Sequence, residues 1–502
     1  MINFKENLKS SFKFILMLGF IFFACILVRL PHFLSKDFFF DGDEAMIGIM
    51  AQDFLEGKGL PIYFYGQNYG FSTIEVLSVS FFIKLFGSGI WALKLGALLI
   101  FSVGLTFIYL TLRNFKLSRL LLFTMMIIFI CYPTWFLWAA MPRGGYVTSF
   151  MIVSILFYIT QLKEFNWKWV IVSALLTAIG YEAQLLILIP VLPFLIVWIS
   201  SYKFDYKKIL GFIFLIFTTV FVIKYFGNNI VVWNAPEAVL FDIKQIENLL
   251  VQSEGFLFGY SNFCFFTMNI PMPVWWNVLL WISLLLILIY FVLFWKETDR
   301  KNRVLMLIGL FSLVFSVGLI STVSLYSPRY WLGFFTGVLF LLIYAVLKGK
   351  ATKIKNITVL SIAAIFGLGL IAAKEMKRDW YQVNVNEMNA ITSLYSEAKK
   401  RKIEAVFVAD PVIQWKWNYL FGQEIPGTFF SKQERTNEFK EKVFHKYSSI
   451  PNKTAIIGLH KFYNGLDQFE TFNQNCDQIA TKYYIMDNVE KQFVEISLKN
   501  YN

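Results

Sequence analysis

The chain has 502 residues, of which 57% are hydrophobic and 16% charged, and its apolar runs repeatedly approach the ~20 residues of a bilayer crossing, which excludes an ordinary soluble globule. Its net charge of +13 sits in short basic clusters between those runs, as in cytoplasmic loops, so no nucleic-acid partner is needed to explain it. The class is an α-helical polytopic membrane protein.

The first apolar run, Phe14 to Leu30, follows Lys5, Lys9 and Lys13 and lacks a small-residue cleavage site. It reads as a retained anchor entered from the cytoplasm, so the loop 31–90 starts outside. That loop carries Asp41-Gly42-Asp43-Glu44, ahead of a helix expected from Glu44 to Leu55, and then Phe64 to Gly70, rich in Gly, Tyr and amides. Thr73 to Phe86 is short for a span and holds Glu75 and Lys84, so it reads as an interfacial helix. Trp91 to Leu112 crosses and ends at Arg113, Lys116 and Arg119, on the cytoplasmic side. Further spans are expected near 120–138, 145–162, 167–180, 184–200, 209–226, 274–295, 304–325, 331–347 and 356–373, about eleven in all, with Gly180-Tyr181-Glu182 as an outer turn. Basic clusters at 163–168, 203–208, 296–303 and 348–355 then all fall inside, and the C-terminal part falls outside.

Near Ala373 the apolar runs shrink to strand length. Helical spacing at 387–400 and 432–446 and strands at Ala405 to Ala409 and Ala455 to Leu459 predict a small extracytoplasmic α/β domain, 374–502, after a transmembrane domain, 1–373. Asp410 either faces a ligand at a strand end or opens a turn before Pro411. Cys25 and Cys131 lie in spans; Cys264 and Cys476 are the pair able to meet outside, although no spacing demands it.

Three carboxylates at a membrane boundary, Asp41, Asp43 and Glu44, suit the handling of hydroxyl groups; Asp41 and Asp43 equally suit capping of the following helix. Arg143 and Arg329 occupy short outer turns against the inside bias of basic residues, where a planar fork fits a lipid phosphate and where snorkelling to headgroups gives the same placement. Tyr146 and Tyr330 beside them read as phosphate-site partners or as interface aromatics. Gln67, Asn68, Tyr69 and Glu75 read as sugar-hydroxyl ligands or as turn and helix-start residues, and Glu182 as a further ionisable candidate at an outer rim. The histidines, His32, His445 and His460, have no zinc-ligand spacing. No Gly-rich phosphate loop is present, which favours a lipid-linked over a nucleotide-linked donor.

Together, the acidic pair in the first external loop, the polar aromatic segment, the short helix ending Leu85-Phe86-Gly87, the span ending in basic residues, Arg143-Gly144-Gly145-Tyr146 and a late Arg329-Tyr330 resemble the multi-spanning glycosyltransferases. Within them the chain is similar to the protein O-mannosyltransferase and lipid A aminoarabinose transferase branch, in its bacterial form with a C-terminal extracytoplasmic domain. The likeness covers most of 1–373 in layout. Relatives often carry a His/Lys-Pro-Pro segment where this chain has Gly70-Phe71-Ser72-Thr73, which leaves the acceptor open. The resemblance implies an inverting enzyme of the plasma membrane that moves a sugar from a polyprenyl-phosphate donor to a hydroxyl of a glycan, lipid or protein, with no required metal even though a divalent ion suits three carboxylates. It implies Asp43 as general base, Glu44 orienting it or the acceptor, Asp41 as helper, and Arg329 and Arg143 at the donor phosphate. A transporter or flippase is the rival class; its spans usually carry midplane charges, whereas Arg29, Lys94 and Lys224 here fall near expected outer ends. A non-catalytic assembly protein would leave the acidic cluster unexplained.

Overall fold

The computed structural model describes residues 4–34, 40–115, 117–200, 205–227, 274–321, 331–350, 352–375, 391–408, 411–428, 437–449, 453–459, 483–487 and 493–495. Arg329, Tyr330, Cys264, Cys476 and Asp410 lie outside them. Among the described residues, seven segments are long and apolar enough to cross a bilayer: Ser11–Pro31, Ile90–Asn114, Trp167–Ser200, Tyr206–Phe226, Val274–Glu297, Arg300–Leu319 and Trp331–Lys348. A bent pair, Arg119–Ile130 with Pro133–Ala140, makes eight. Over their described residues, the eleven expected spans each fall on a helix or a pair of helices. Beyond the eight, Tyr146–Leu162 has 17 residues, Lys353–Glu375 is a further 23-residue helix, and Trp167–Ser200 holds two of the expected spans in one run.

In chain order the helices are α1 (Phe4–Phe33), α2 (Gly42–Leu55), α3 (Thr73–Phe86), α4 (Ile90–Asn114), α5 (Arg119–Ile130), α6 (Pro133–Phe136), α7 (Tyr146–Leu162), α8 (Trp167–Leu188), α9 (Leu192–Ser200), α10 (Tyr206–Phe226), α11 (Val274–Glu297), α12 (Arg300–Ser321), α13 (Trp331–Lys348) and α14 (Lys353–Glu375). Large aromatics fill the bundle. Phe101 and Phe150 stack at 4.5 Å, Phe157 meets Phe194 and Phe340 at 4.9 Å, and the Trp135 indole donates to the Thr336 hydroxyl at 2.8 Å. Small residues allow close approaches: at Gly96 a Cβ would lie 3.0 Å from the Val79 backbone, and at Gly104 it would lie 3.1 Å from Met151 Cα.

Two expected elements differ in detail. The span expected over 120–138 breaks between α5 and α6 with a bend of 64°. Pro133 starts α6 because it needs no helical N–H there. The freed carbonyls are met by the fully buried Arg29, which donates to those of Phe136 (2.6 Å), Ile130 and Trp135 (3.3 Å each) and also to that of Cys25 on its own helix (3.1 Å). The second is the outer turn expected at Gly180-Tyr181-Glu182, which stays helical while the reversal falls at Gln184 (φ −155°, ψ 98°). Past it the chain runs back, since the Trp198 indole donates to the Lys163 carbonyl at 2.7 Å and its ring meets Phe165 at 5.0 Å. Helix α3 buries Glu75 and Ser80 against α2 and α4 and exposes Leu77, Phe81, Leu85 and Phe86, an apolar stripe turned outward.

Following the helices, a five-stranded sheet has the order β2-β1-β3-β4-β5, with β1 (Ala405–Val408), β2 (Gly427–Thr428), β3 (Thr454–Leu459), β4 (Tyr483–Asp487) and β5 (Phe493–Glu495). β1 is parallel to β2 and β3, and β4 is antiparallel to β3 and β5. Helices at 391–400, α15 (Pro411–Phe421) and α16 (Asn437–Ser449) flank it over a separate core of Ile391, Leu394, Val406, Val408, Ile413 and Trp417. Both expected strands and both expected helices are present; α15, β4 and β5 had no clear sequence signal.

Candidate active site

Helix α2 starts at Gly42, two residues before the expected position, because Asp41 is extended (φ −119°, ψ 173°) and its Oδ1 accepts the Glu44 N–H at 2.8 Å. Asp41 is therefore an N-cap. Asp43, in the first turn, points instead to Arg143, whose Nη2 donates to Asp43 Oδ2 at 2.8 Å while Nη1 lies 3.0 Å from Asp41 Oδ2. The Arg143 side chain is 4% exposed and both aspartates 15%, so the forked ion pair sits at a shallow, partly wet boundary. Burial alone would lower the Arg143 pKa; the Asp41 and Asp43 carboxylates outweigh it and hold the guanidinium above its usual range. Trp138 faces the cation at 5.3 Å.

Glu44 was expected to orient Asp43 or the acceptor, and the structure places it elsewhere. Its carboxylate is fully buried and pairs with Lys94 on α4 at 2.5 Å. Burial pushes Glu44 up to about 7 against the pull of Lys94. Successive residues on a helix point about 100° apart, so one acidic neighbour faces the boundary and the other the core.

The segment Arg143-Gly144-Gly145-Tyr146 owes its glycines to backbone geometry: Gly144 has φ +59° and Gly145 φ +94°, a left-handed region that side-chain-bearing residues rarely adopt. That turn aims the Gly145 N–H at Glu75 Oε1 (3.1 Å), with the amides of Arg143, Val147 and Thr148 also facing the carboxylate. Glu75 thus caps the N-terminus of α7 from a neighbouring helix. Desolvation pushes it up to about 7 despite those amides. Gln184, at the reversal, donates to the Gly144 carbonyl at 3.1 Å, and a Cβ on Gly145 would lie 3.0 Å from Ala183. Tyr146 is buried with its ring 5.2 Å from Trp138.

The polar aromatic loop is tied to the same reversal. The Gly70 and Phe71 N–H groups donate to the Glu182 carbonyl (3.1 and 3.0 Å), and the Tyr63 hydroxyl donates to Glu182 Oε2 at 2.7 Å. Lys224 lies 3.9 Å from Glu182. Within the loop the Gln67 N–H donates to the Phe64 carbonyl at 3.1 Å, Asn68 is exposed, and Gln67 and Tyr69 are half-buried. The structure therefore joins Asp41, Asp43 and Arg143 directly, sets Glu75 beneath them through Gly145, and uses Glu182 as an anchor for the loop; Glu44 stands apart. Sequence reasoning missed Tyr63 as a partner of Glu182. For Lys94 and Arg29 a signal existed, a charge inside an apolar run, which in hydrocarbon requires a partner. Among the described residues, no three His, Cys, Asp or Glu side chains converge as metal ligands.

No protein-family model matches the chain, and no curated protein does. Solved structures do match. ArnT from Cupriavidus metallidurans bound to undecaprenyl phosphate superposes with a TM-score of 0.55 at 10% identity, covering 98% of each chain. The same protein in the apo state gives 0.53 at 10% identity, over 90% of this chain and 93% of that one. On this likeness the chain is a multi-pass membrane protein with the fold of ArnT, the architecture that its resemblance to the multi-spanning glycosyltransferases implied.

Proposed function

We propose that the chain is a membrane glycosyltransferase that moves a sugar from a polyprenyl-phosphate donor to a hydroxyl acceptor at the extracytoplasmic face of the plasma membrane. The observation that carries this reading is the buried Arg143 guanidinium forked between Asp41 and Asp43 at the head of α2, which sets a carboxylate base beside a cation shaped for phosphate. The fold shared with a protein solved with undecaprenyl phosphate bound supports it. In the reaction Asp43 accepts the proton of the acceptor hydroxyl as its oxygen attacks the anomeric carbon. The bond from that carbon to the phosphate oxygen breaks with inversion, and the polyprenyl phosphate leaves as an anion stabilised by Arg143; Arg329, Tyr146 and Tyr330 are assigned to the donor phosphate as well. A leaving phosphate needs no general acid.

Asp41 contributes by fixing the start of α2 and sharing Arg143. Glu44 with Lys94 is a buried ion pair supporting α2 on α4, and Glu75 and Glu182 hold the loops around the site. Gln67, Asn68 and Tyr69 are assigned in this reading to the sugar hydroxyls. No metal is invoked, and Arg143 pairs with both aspartates. The transmembrane unit 1–373 carries the chemistry, and 374–502 forms the unit above it. The protein in lipid nanodiscs, offered polyprenyl-phosphate-linked pentoses and hexoses with glycan, lipid and peptide acceptors, tests the reading. Transfer of label to an acceptor is expected. Movement of substrate or lipid across a vesicle membrane with no covalent product, from every donor tried, would replace it with the transporter reading.

A further inference from the structure

Helix α2 has only 14 residues and is not a membrane span, so its place depends on what covers it. It packs on α3 on one side and on α15 of the α/β unit on another. At that second contact one residue meets the chain just before the helix, its middle and its C-terminal half. The Tyr419 ring lies 6.0 Å from Phe40, the buried residue immediately before Asp41. It also lies so close over Gly48 that a Cβ there would overlap it. The Tyr419 carbonyl accepts from Gln52 Nε2 at 3.1 Å, and its hydroxyl donates to the Gly89 carbonyl at 2.9 Å, just before α4. Trp415 and Phe439 join Phe40, Met46, Ile47 and Met50 in one apolar cluster. A polar rim surrounds it: Lys58 Nζ lies 2.7 Å from Glu438, 2.8 Å from Asp53 and 2.8 Å from Glu56, and Gln423 donates to Glu56 at 2.5 Å.

From this geometry we infer that the α/β unit is a working part of the acidic site, with Tyr419 the positioning residue that fixes the head of α2 and so the direction of Asp43. The inference rests on the reading of Asp43 as the reacting carboxylate. Gly48 is the sequence counterpart of the contact, since only a residue without Cβ lets the ring lie against α2. A base displaced by about 1 Å loses on the order of 10² in rate even when the fold survives. Tyr419 touches no reacting atom in this scheme and acts through Phe40 and the turn that follows it.

The test uses the full chain in nanodiscs with Tyr419→Ala, Tyr419→Phe, Gly48→Ala and the Gly48→Ala/Tyr419→Ala double variant. Hydrogen exchange of the α2 amides is read alongside the transfer rate at saturating donor. Gly48→Ala and Tyr419→Ala are each expected to raise exchange over 42–48 about tenfold and to lower kcat about tenfold or more, with the donor KM little changed and exchange in α7 at the wild-type level. Tyr419→Phe, which loses only the bond to Gly89, should stay near wild type. The double variant should be no worse than either single one, because the clash is with a ring already removed. Wild-type exchange over 42–48 in Tyr419→Ala, or losses that multiply in the double variant, overturns the inference. If Tyr419→Ala does not fold, Tyr419→Leu, which keeps apolar volume without the ring plane or hydroxyl, carries the same comparison. Should wild type transfer no sugar, the proposed reaction fails, and the exchange of α2 alone decides whether Tyr419 holds it.

Discussion

Asp43 and Glu44 are adjacent carboxylates with opposite settings, and the difference is the partner each meets. Asp43 faces Arg143 and keeps 15% of its side chain exposed; Glu44 is sealed against Lys94. Asp43→Asn keeps the volume and removes the base, so it is expected to cut transfer on the order of 10²–10⁴ with thermal stability little changed. Near-normal turnover in the purified Asn variant would remove Asp43 from the mechanism. Glu75 offers a second measurement. Its folded value, about 7, lies above its ordinary 4.5 because burial disfavours the anion. Its contribution to stability is therefore fully present below about pH 4.5 and is lost as pH rises through about 7. The melting temperature of Glu75→Gln relative to wild type should accordingly climb between pH 5 and pH 8. A difference that stays flat or falls over that range contradicts the burial of an ionisable carboxyl at the head of α7.

At the scale of elements, the broken α5–α6 segment matters most, because the chain leaves it only a few residues before Arg143. A bend of 64° inside an apolar segment exposes carbonyls that hydrocarbon cannot satisfy, and Arg29 gathers those of Ile130, Trp135 and Phe136 from across the bundle. Arg29→Leu should then cost on the order of 3 kcal/mol in unfolding free energy, through several buried acceptors losing their donor at once. Arg29→Lys should recover part of it, since one ammonium cannot spread over the same set of carbonyls. A leucine variant as stable as wild type in denaturant unfolding would show that the bend holds itself. The α8–α9 reversal at Gln184 has a similar place in the fold: it binds Gly144 through a side chain and loop 63–71 through the Glu182 carbonyl. A short hairpin thus ties two loops that the sequence separates widely.

For the whole molecule, the acidic loop packs against the α/β unit through α2 and α15, so the loop and that unit lie on the same side of the membrane. A reporter placed after Leu112 is expected to read cytoplasm, and one inserted after Glu495 to read the outside. A cytoplasmic signal from the second position would reverse the parity of the spans and carry the proposed site to the wrong face. The basic clusters that set this orientation are local in the sequence and act during insertion, independently of the final packing.

Membrane class, the helices on which the spans fall, the helix over Thr73–Phe86 and the core strands of the C-terminal sheet were legible from residue type alone. Hydropathy, charge bias and period are summed over neighbouring residues, and a bilayer restricts spanning segments to helices of near-fixed length. The same local chemistry marked Asp41, Asp43 and Arg143 as candidates. It did not reveal that Arg143 grips both aspartates from 100 residues away, that Glu44 turns to Lys94 50 residues on, or that Tyr419 backs α2 with a bond to Gln52 spanning 367 residues. It set the α8–α9 turn at 180–182 instead of Gln184 and did not give the break before Pro133, two places where a charged or amide side chain satisfies backbone groups of a distant element. Those pairings depend on which helix faces lie together in three dimensions, and that is settled only when side chains compete for the same buried space and the same few hydrogen-bond partners.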